Sequence, residues 1–310
     1  MKERLRNFNI KKAVTWAGTL LMAASLLFIG QQVAGMWGEL DLSMLTSPWV
    51  VTALLLLALT EGGIIIGFSV NYRFIVKDVS GIAVPWGRAV CIYALTNLYK
   101  YIPGGVLFAV GRNHMAVETE GLGHGKVAVS TLLEGVLWVV AGGILAAAFA
   151  FEHSLYYIRQ TAAWPLAGIV LGLVVLAALP VMYKLRRYWL PMLHTMRFAA
   201  VIKRMVSVTG LMFLWGASFL AVLAVMGQPM TMGLGITVMG LFILSWLAGF
   251  LTPGAPSGLG IREVVLLMFM SGTLDEGILL SAIVMHRALQ VLGDVLAYGG
   301  ALVYARGKSS

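Results

Sequence analysis

Apolar residues run along this chain in blocks too long for one buried face of a soluble helix. A helix needs about 20 predominantly apolar residues to cross the hydrocarbon core of a bilayer. Six segments qualify: 13–34, 49–70, 127–151, 163–183, 205–226 and 277–304. Two further apolar regions, 89–122 and 233–274, are broken by Pro103-Gly104-Gly105 and by Pro253-Gly254-Ala255-Pro256-Ser257-Gly258. The apolar arms around the first break, about 14 and 9 residues, are too short to span. The pattern predicts an all-α polytopic membrane protein, one integral membrane domain over residues 1–310. The run that follows the basic N-terminus is too long for a signal-peptide core, and no A-x-A-like site follows it convincingly, so it reads as a retained first span.

Composition agrees. Of 310 residues 60% are hydrophobic and only 11% charged, about half the charged fraction of a soluble domain. A soluble enzyme and intrinsic disorder are excluded together, because a soluble fold must still cover its surface with polar groups. The single cysteine, Cys91, excludes a disulfide framework and a cysteine-based metal site.

The net charge of +9 serves orientation rather than nucleic acid, because the basic residues cluster in loops between apolar spans. Lys2, Arg4, Arg6, Lys11 and Lys12 set the N-terminus in the cytoplasm, and Arg306 and Lys308 do the same for the C-terminus. The central loop carries Lys184, Arg186, Arg187, Arg197, Lys203 and Arg204 with no acid among them. A single crossing by region 89–122 would put that loop outside. The region therefore crosses zero or two times, and its short arms favour a re-entrant hairpin from the cytoplasm. The same parity makes region 233–274 a hairpin from the outside. Stretch 185–205, basic and apolar mixed, reads as an interfacial amphipathic helix or as a plain cytoplasmic loop.

The halves 1–160 and 161–310 then repeat each other. Each has two spans, a Pro-Gly-broken hairpin and one more span, and an odd number of full crossings inverts the second half. Pro103 to Arg112 and Pro253 to Arg262 are both intervals of nine residues. Inverted repeats whose broken helices meet near the midplane are a transporter-type architecture. Pro and Gly remove backbone hydrogen bonds and admit positive φ. At membrane depth such backbone survives only inside protein or beside water, so the breaks point to a cavity; a simple proline kink is the plainer reading.

Two motifs carry a family resemblance: Asn97-Leu98-Tyr99-Lys100-Tyr101-Ile102-Pro103-Gly104-Gly105 with Gly111-Arg112, and Pro253-Gly254 with Gly258-Leu259-Gly260-Ile261-Arg262-Glu263. With the spacing of the spans, they make nearly the whole chain resemble the flippase-like membrane region of the lysylphosphatidylglycerol synthase family. The second motif is the more specific. The resemblance implies a lipid-handling membrane protein that binds a phosphate-bearing lipid or translocates it between leaflets. It departs after the first motif, where the family's acidic-basic pair is reduced to Glu134, with Gly135 and Trp138 in the other places. No part of the sequence resembles the family's cytosolic lysyltransferase domain, so the resemblance does not imply lysyl transfer by this chain alone.

Ionisable residues at membrane depth cost about 2.5–3.5 kcal/mol or more each and persist when they pair or line a wet cavity. The candidates are Glu61, Lys100, Arg112, Glu134, Arg262, Glu263, Arg287 and Asp294. Arg112 and Arg262 follow the two breaks, where helix N-termini and guanidinium groups both favour phosphate. They are read as lipid-phosphate ligands, with pairing to Glu134 or Glu263, or snorkelling, as the alternative. Glu134 has Lys100, Arg112 and Arg287 as available partners. Arg287, Gln290 and Asp294 share a helix face and form a polar stripe for the bundle interior. Gly63 and Gly67 have the G-x-x-x-G spacing of close helix packing, which leaves Glu61 the less easily explained residue of that span. The breaks themselves comprise Pro103, Gly104, Gly105, Pro253, Gly254, Pro256 and Gly258.

No enzyme signature stands out. Gly121 to Lys126 lacks the leading Gly and the closing Ser/Thr of a phosphate loop, the five histidines have no H-E-x-x-H spacing, and no G-x-S-x-G elbow occurs. His286 reads as packing or a hydrogen bond, and the aromatic residues as span packing and interface belts. The expectation is therefore no catalytic residue, metal or cofactor, and a lipid partner that is an anionic phospholipid or a polyprenyl-phosphate lipid, in the inner (cytoplasmic) membrane. Two rivals remain at this stage. One is a membrane component of a phosphatidylglycerol lysyltransferase, acting in lysylphosphatidylglycerol synthesis and resistance to cationic antimicrobial peptides with a partner catalytic domain. The other is a membrane anchor or regulator of an envelope glycosyltransferase.

Overall fold

The computed structural model describes residues 47–101, 107–161, 183, 198–252, 256–258, 260–270 and 273–307. Among them are eight α-helices and no strand. They are α1 (Pro48–Ser80), α2 (Trp86–Asn97), α3 (Leu107–Glu120), α4 (His124–Thr161), α5 (Phe198–Val225), α6 (Met232–Leu251), α7 (Ile261–Met270) and α8 (Glu276–Gly307). Short 3-10 turns, Leu98–Tyr101 and Pro256–Gly258, follow α2 and precede α7. Five helices, α1, α4, α5, α6 and α8, are long and apolar enough to cross a membrane. This is the make-up of a multi-pass integral membrane protein. The expected spans 13–34 and 163–183 lie outside the described residues apart from Tyr183. So do Pro103, Gly104, Gly105, Pro253 and Gly254. Of stretch 185–205, residues 198–205 are the opening of α5, and the rest lies outside.

Local sequence sets the helix ends. Pro48 occupies the first turn of α1, where its missing N–H is no loss. Gly81, at φ 77°, closes the same helix by donating its N–H to the Lys77 carbonyl. Arg73 Nε then donates to the Val84 carbonyl at 2.6 Å and lies over the Trp86 ring, which fixes the turn into α2. Thr231 caps α6 by accepting the Leu234 N–H.

Region 89–122 folds as expected into two short helices, α2 of 12 residues and α3 of 14. Region 233–274 does not match it. Its first arm, α6, is a 20-residue helix of span length, and only α7, with 10 residues, is short. The reason is compositional. Residues 232–251 carry no charge and no proline before Pro253, whereas α2 holds Arg88 and ends in Asn97.

The packing brings together helices distant in the chain. α4 packs on α6, and α8 packs on α2. Likewise α1 packs on α2 and α5 on α6, while α1 meets α8 and α4 meets α5. The two 3-10 turns touch each other. A close approach joins α1 to α8 at Gly62 and Gly293: a Cβ on Gly293 would sit 2.7 Å from the Gly62 backbone nitrogen. Gly63 faces open space, so the residue that serves close packing is its neighbour Gly62, although Gly67 does pack against Leu211 of α5. The helix register turns Gly62, not Gly63, toward α8.

Candidate functional site

A cavity of about 330 Å³ opens where these elements converge. Its wall is strongly aromatic: Phe68 of α1, Tyr93 of α2, Phe108 of α3, Trp138 of α4, Trp215 of α5, and Trp246 and Phe250 of α6 all contribute. Edge-to-face contacts knit the rings together, with Trp138 meeting Trp246 and Phe250, and Trp215 meeting Trp246. Four charged residues reach the same space: Glu61, Lys100, Arg262 and Asp294. Asn97, Gln290, Thr252 and Ser257 add polar edges. A chamber with an apolar aromatic body and a few converging polar groups has the make-up of a site for an amphiphilic small molecule.

The polar stripe on α8 holds both interrupted elements. Asp294 accepts from Asn97 Nδ2 at 2.7 Å and from the Tyr101 hydroxyl at 2.5 Å, and forms an ion pair with Lys100 at 2.7 Å. All three partners come from the end of α2 and the turn after it. Seven residues earlier on α8, Arg287 pairs with Glu263 of α7 at 2.8 Å and donates to the Ser257 carbonyl at 3.3 Å. Gln290 lies between them and lines the cavity. Two turns of α8 thus fasten the end of α2 at one point and the start of α7 at another.

The turn that precedes α7 is tightly folded at this cavity. Ser257, at φ 50°, and Gly258, at φ 70°, are both left-handed. Gly258 approaches Gly249 of α6 so closely that a Cβ on either would lie within 3.0 Å of the other's backbone. Only glycine fits there, and the fold-back lays the Arg262 side chain along Gly249.

Arg262 and Arg112, matched by sequence interval, have different surroundings. Arg112 is fully buried. Its Nη1 donates to Glu134 Oε2 at 2.5 Å, while the Tyr93 hydroxyl donates to the other carboxylate oxygen at 3.0 Å. Arg112 Nε and Nη2 have no hydrogen-bond partner among the described residues. They are held against ring faces instead, with the guanidinium 3.9 Å from the Tyr93 centroid and 4.8 Å from that of Tyr72. Of the three partners open to Glu134 in the sequence, the fold selects Arg112. Arg262 forms no ion pair among the described residues, and its Nε finds no hydrogen-bond partner there. Its guanidinium stands about 6 Å from the Trp215 and Trp246 rings and faces the cavity. Glu263, its neighbour, is taken by Arg287.

Glu61 has an explanation that the sequence did not supply. It accepts the Ser218 hydroxyl at 2.5 Å and lies 3.2 Å from His286 Nε2, which is itself 2.9 Å from Ser218 Oγ. The three side chains come from α1, α5 and α8, and all three are buried.

The sequence marked the ions but not their polar partners Tyr93 and Ser218 or the aromatic wall; Asn97 and Tyr101 stood in the first motif without a partner assigned. The tryptophans carried one legible signal. Trp belongs at membrane interfaces, so Trp138 and Trp246, deep within apolar runs, were out of place for an interface belt. Among the described residues, no group of three or more His, Cys, Asp or Glu side chains is placed to hold a metal ion. In comparisons with known proteins the chain matches no protein-family model and no curated protein.

Proposed function

We propose that this is a flippase-like protein of the cell membrane, with both termini cytoplasmic, that takes a phosphate-bearing lipid by its head group into the cavity between its halves and exposes it to each leaflet in turn. The observation that carries the reading is Arg262. Of the four cations at membrane depth, Lys100, Arg112 and Arg287 each have a carboxylate. Arg262 alone has none among the described residues, and it lines an aromatic chamber. An unneutralised guanidinium beside apolar wall calls for an amphiphile with an anionic head, and Arg suits phosphate. Lys100, partly exposed and also at the cavity, stays paired with Asp294 and balances charge there. Arg112, fully enclosed with Glu134, braces α3 against α4 on this reading.

Inverted halves, each interrupted by a Pro-Gly break, supply the means of alternation. The packing pattern, α4 on α6 and α8 on α2, supports the repeat. So does the ion pair that joins the second arm of each hairpin to the helix after it, Arg112–Glu134 in one half and Glu263–Arg287 in the other. The resemblance to the membrane region of the lysylphosphatidylglycerol synthase family points to the same class of activity. An anionic phospholipid and a polyprenyl phosphate share the phosphate that Arg262 would bind.

The test is binding of fluorescent phosphatidylglycerol and of a fluorescent polyprenyl phosphate to the purified protein, which also tells the two lipid sources apart. Loss of a charge-assisted hydrogen bond is worth about 1.5–3 kcal/mol. Arg262→Ala is therefore expected to weaken binding of the preferred lipid by about ten- to a hundredfold, with an unchanged melting temperature. Wild-type affinity in a folded Arg262→Ala protein would remove the basis of the reading.

A further inference from the structure

Glu61, His286 and Ser218 have the composition of a nucleophilic triad but not its geometry. In such a triad the imidazole bridges, with one nitrogen to the hydroxyl and the other to the carboxylate. Here both the Ser218 hydroxyl and the Glu61 carboxylate converge on the same nitrogen, His286 Nε2, and the hydroxyl bonds directly to the carboxylate. No proton relay through the ring results. The arrangement instead gathers three proton-sharing atoms around one point. The imidazole is wedged edge-on against Phe219 and Phe242, with centroids at 5.4 and 5.0 Å, and Nε2 is presented to Glu61. Glu61 itself lines the cavity that holds Arg262.

A count of charge gives this cluster a role. At membrane depth the cations are Lys100, Arg112, Arg262 and Arg287, and the anions are Glu61, Glu134, Glu263 and Asp294. Three pairs close on themselves: Lys100 with Asp294, Arg112 with Glu134, and Arg287 with Glu263. The remainder is Arg262 and Glu61, both on the cavity wall. With His286 neutral, the empty site is electroneutral. A phosphodiester head that pairs with Arg262 adds one negative charge, and Glu61 becomes the unbalanced ion in a low-dielectric chamber, where a net charge is expensive. One proton held between Glu61 and His286 restores neutrality.

We propose that the cavity binds a proton together with the lipid phosphate, the proton residing between Glu61 Oε1 and His286 Nε2 with Ser218 as the third hydrogen-bonding group. This inference rests on the lipid-phosphate reading above. The proton comes from water through the cavity, and no covalent bond to carbon or phosphorus forms or breaks. The other charged groups around the cluster stay in their pairs. Asp294, on α8 next to Gly293, keeps Lys100. Glu134 behind the α4 wall keeps Arg112, and Glu263 on α7 keeps Arg287. From α5 the facing group is the hydroxyl of Ser218, and α6 carries no titratable residue. In transport terms, an anionic lipid would move with a proton, so that a pH gradient across the membrane drives or brakes it.

The experiment measures binding of phosphatidylglycerol to the purified full chain between about pH 5 and pH 8, the range in which a histidine changes charge. Proton uptake is read in parallel in weakly buffered solution with a pH indicator. Phosphatidylglycerol is the chosen probe because its phosphodiester does not titrate in that range, unlike a phosphomonoester with its second pKa near about 6. The expected result is uptake of about one proton per lipid bound. Affinity should then fall toward tenfold per pH unit on the alkaline side. The double variant Glu61→Gln/His286→Asn is expected to bind with no pH dependence and no proton uptake. Zwitterionic phosphatidylcholine, which adds no net charge, is expected to take up no proton where it binds. Lipid binding without proton uptake in the wild type overturns this inference and leaves the lipid reading standing. A pH slope that survives in the folded double variant overturns it too. No phosphatidylglycerol or polyprenyl phosphate binding at any pH overturns the lipid reading and this inference with it.

Discussion

Glu134→Ala is expected to destabilise the protein by about 3–5 kcal/mol, the cost of leaving one member of a buried ion pair without its partner. Glu134 is the sole carboxylate in contact with Arg112 among the described residues. Arg112 is 0% exposed, and two of its three nitrogens already have ring faces in place of hydrogen bonds. The guanidinium cannot lose its proton, and it has no route to water, so the whole penalty falls on folding. The measurement is thermal unfolding in detergent together with the yield of monodisperse protein. The paired change Arg112→Met/Glu134→Leu removes both charges and is expected to recover most of the loss, since well-packed apolar replacements of buried pairs are often neutral or stabilising. If Glu134→Ala melts like the wild type, or the double variant is as unstable as the single one, the pair is not the brace that joins α3 to α4.

Gly293→Val should be comparably disruptive for a steric rather than electrostatic reason. A Cβ at position 293 would lie 2.6 Å from the Glu61 Cβ and 2.7 Å from the Gly62 nitrogen. The second of these is main chain and cannot rotate away. The helices α1 and α8 must therefore separate, at a cost of about 1–3 kcal/mol or more for an overpacked contact. Separation also pulls His286 from Glu61 and displaces Asp294, the next residue, from Lys100. Lipid binding should fall together with stability. Gly63→Ala is the matched control. It adds a methyl into open space, and its effect is expected to stay within about 0.5 kcal/mol. Equal melting temperatures for Gly293→Val and Gly63→Ala would contradict the close approach.

Much of the helix plan was legible because apolar run length and Pro-Gly interruptions are local properties. α1, α4 and α8 contain the apolar segments 49–70, 127–151 and 277–304, α5 contains 205–226 but for its last residue, and region 89–122 holds the two short helices α2 and α3. The departure is α6. The parity of loop charges made region 233–274 a hairpin without weighing its first arm, 20 residues with no charge and no internal proline. The G-x-x-x-G spacing failed in a similar way. Periodicity placed glycines on one side of α1 but did not say which of Gly62 and Gly63 the neighbouring helix would reach.

The site was legible only as a set of members. Scarcity of charge in apolar sequence marked Glu61, Lys100, Arg112, Glu134, Arg262, Glu263, Arg287 and Asp294, because each is too costly at depth to be incidental. Matched intervals after the two breaks made Arg112 and Arg262 look alike. Their difference comes from residues far away in the chain: Glu134 closes over one, while Arg287 takes the acid beside the other.

By itself the sequence determined that the chain is helical and apolar enough for a membrane, where its helices are interrupted, and which few ions matter. These follow from composition and short-range pattern, which act before any helix meets another. The tertiary structure alone decided the pairing: that Asp294 holds the end of α2 and Arg287 holds α7, that seven aromatic rings line one cavity, and that Arg262 faces it without a carboxylate among the described residues. Ion pairing falls off within a few ångströms in competition with water and neighbouring charges. It is therefore fixed by distances that exist only after the helices have packed.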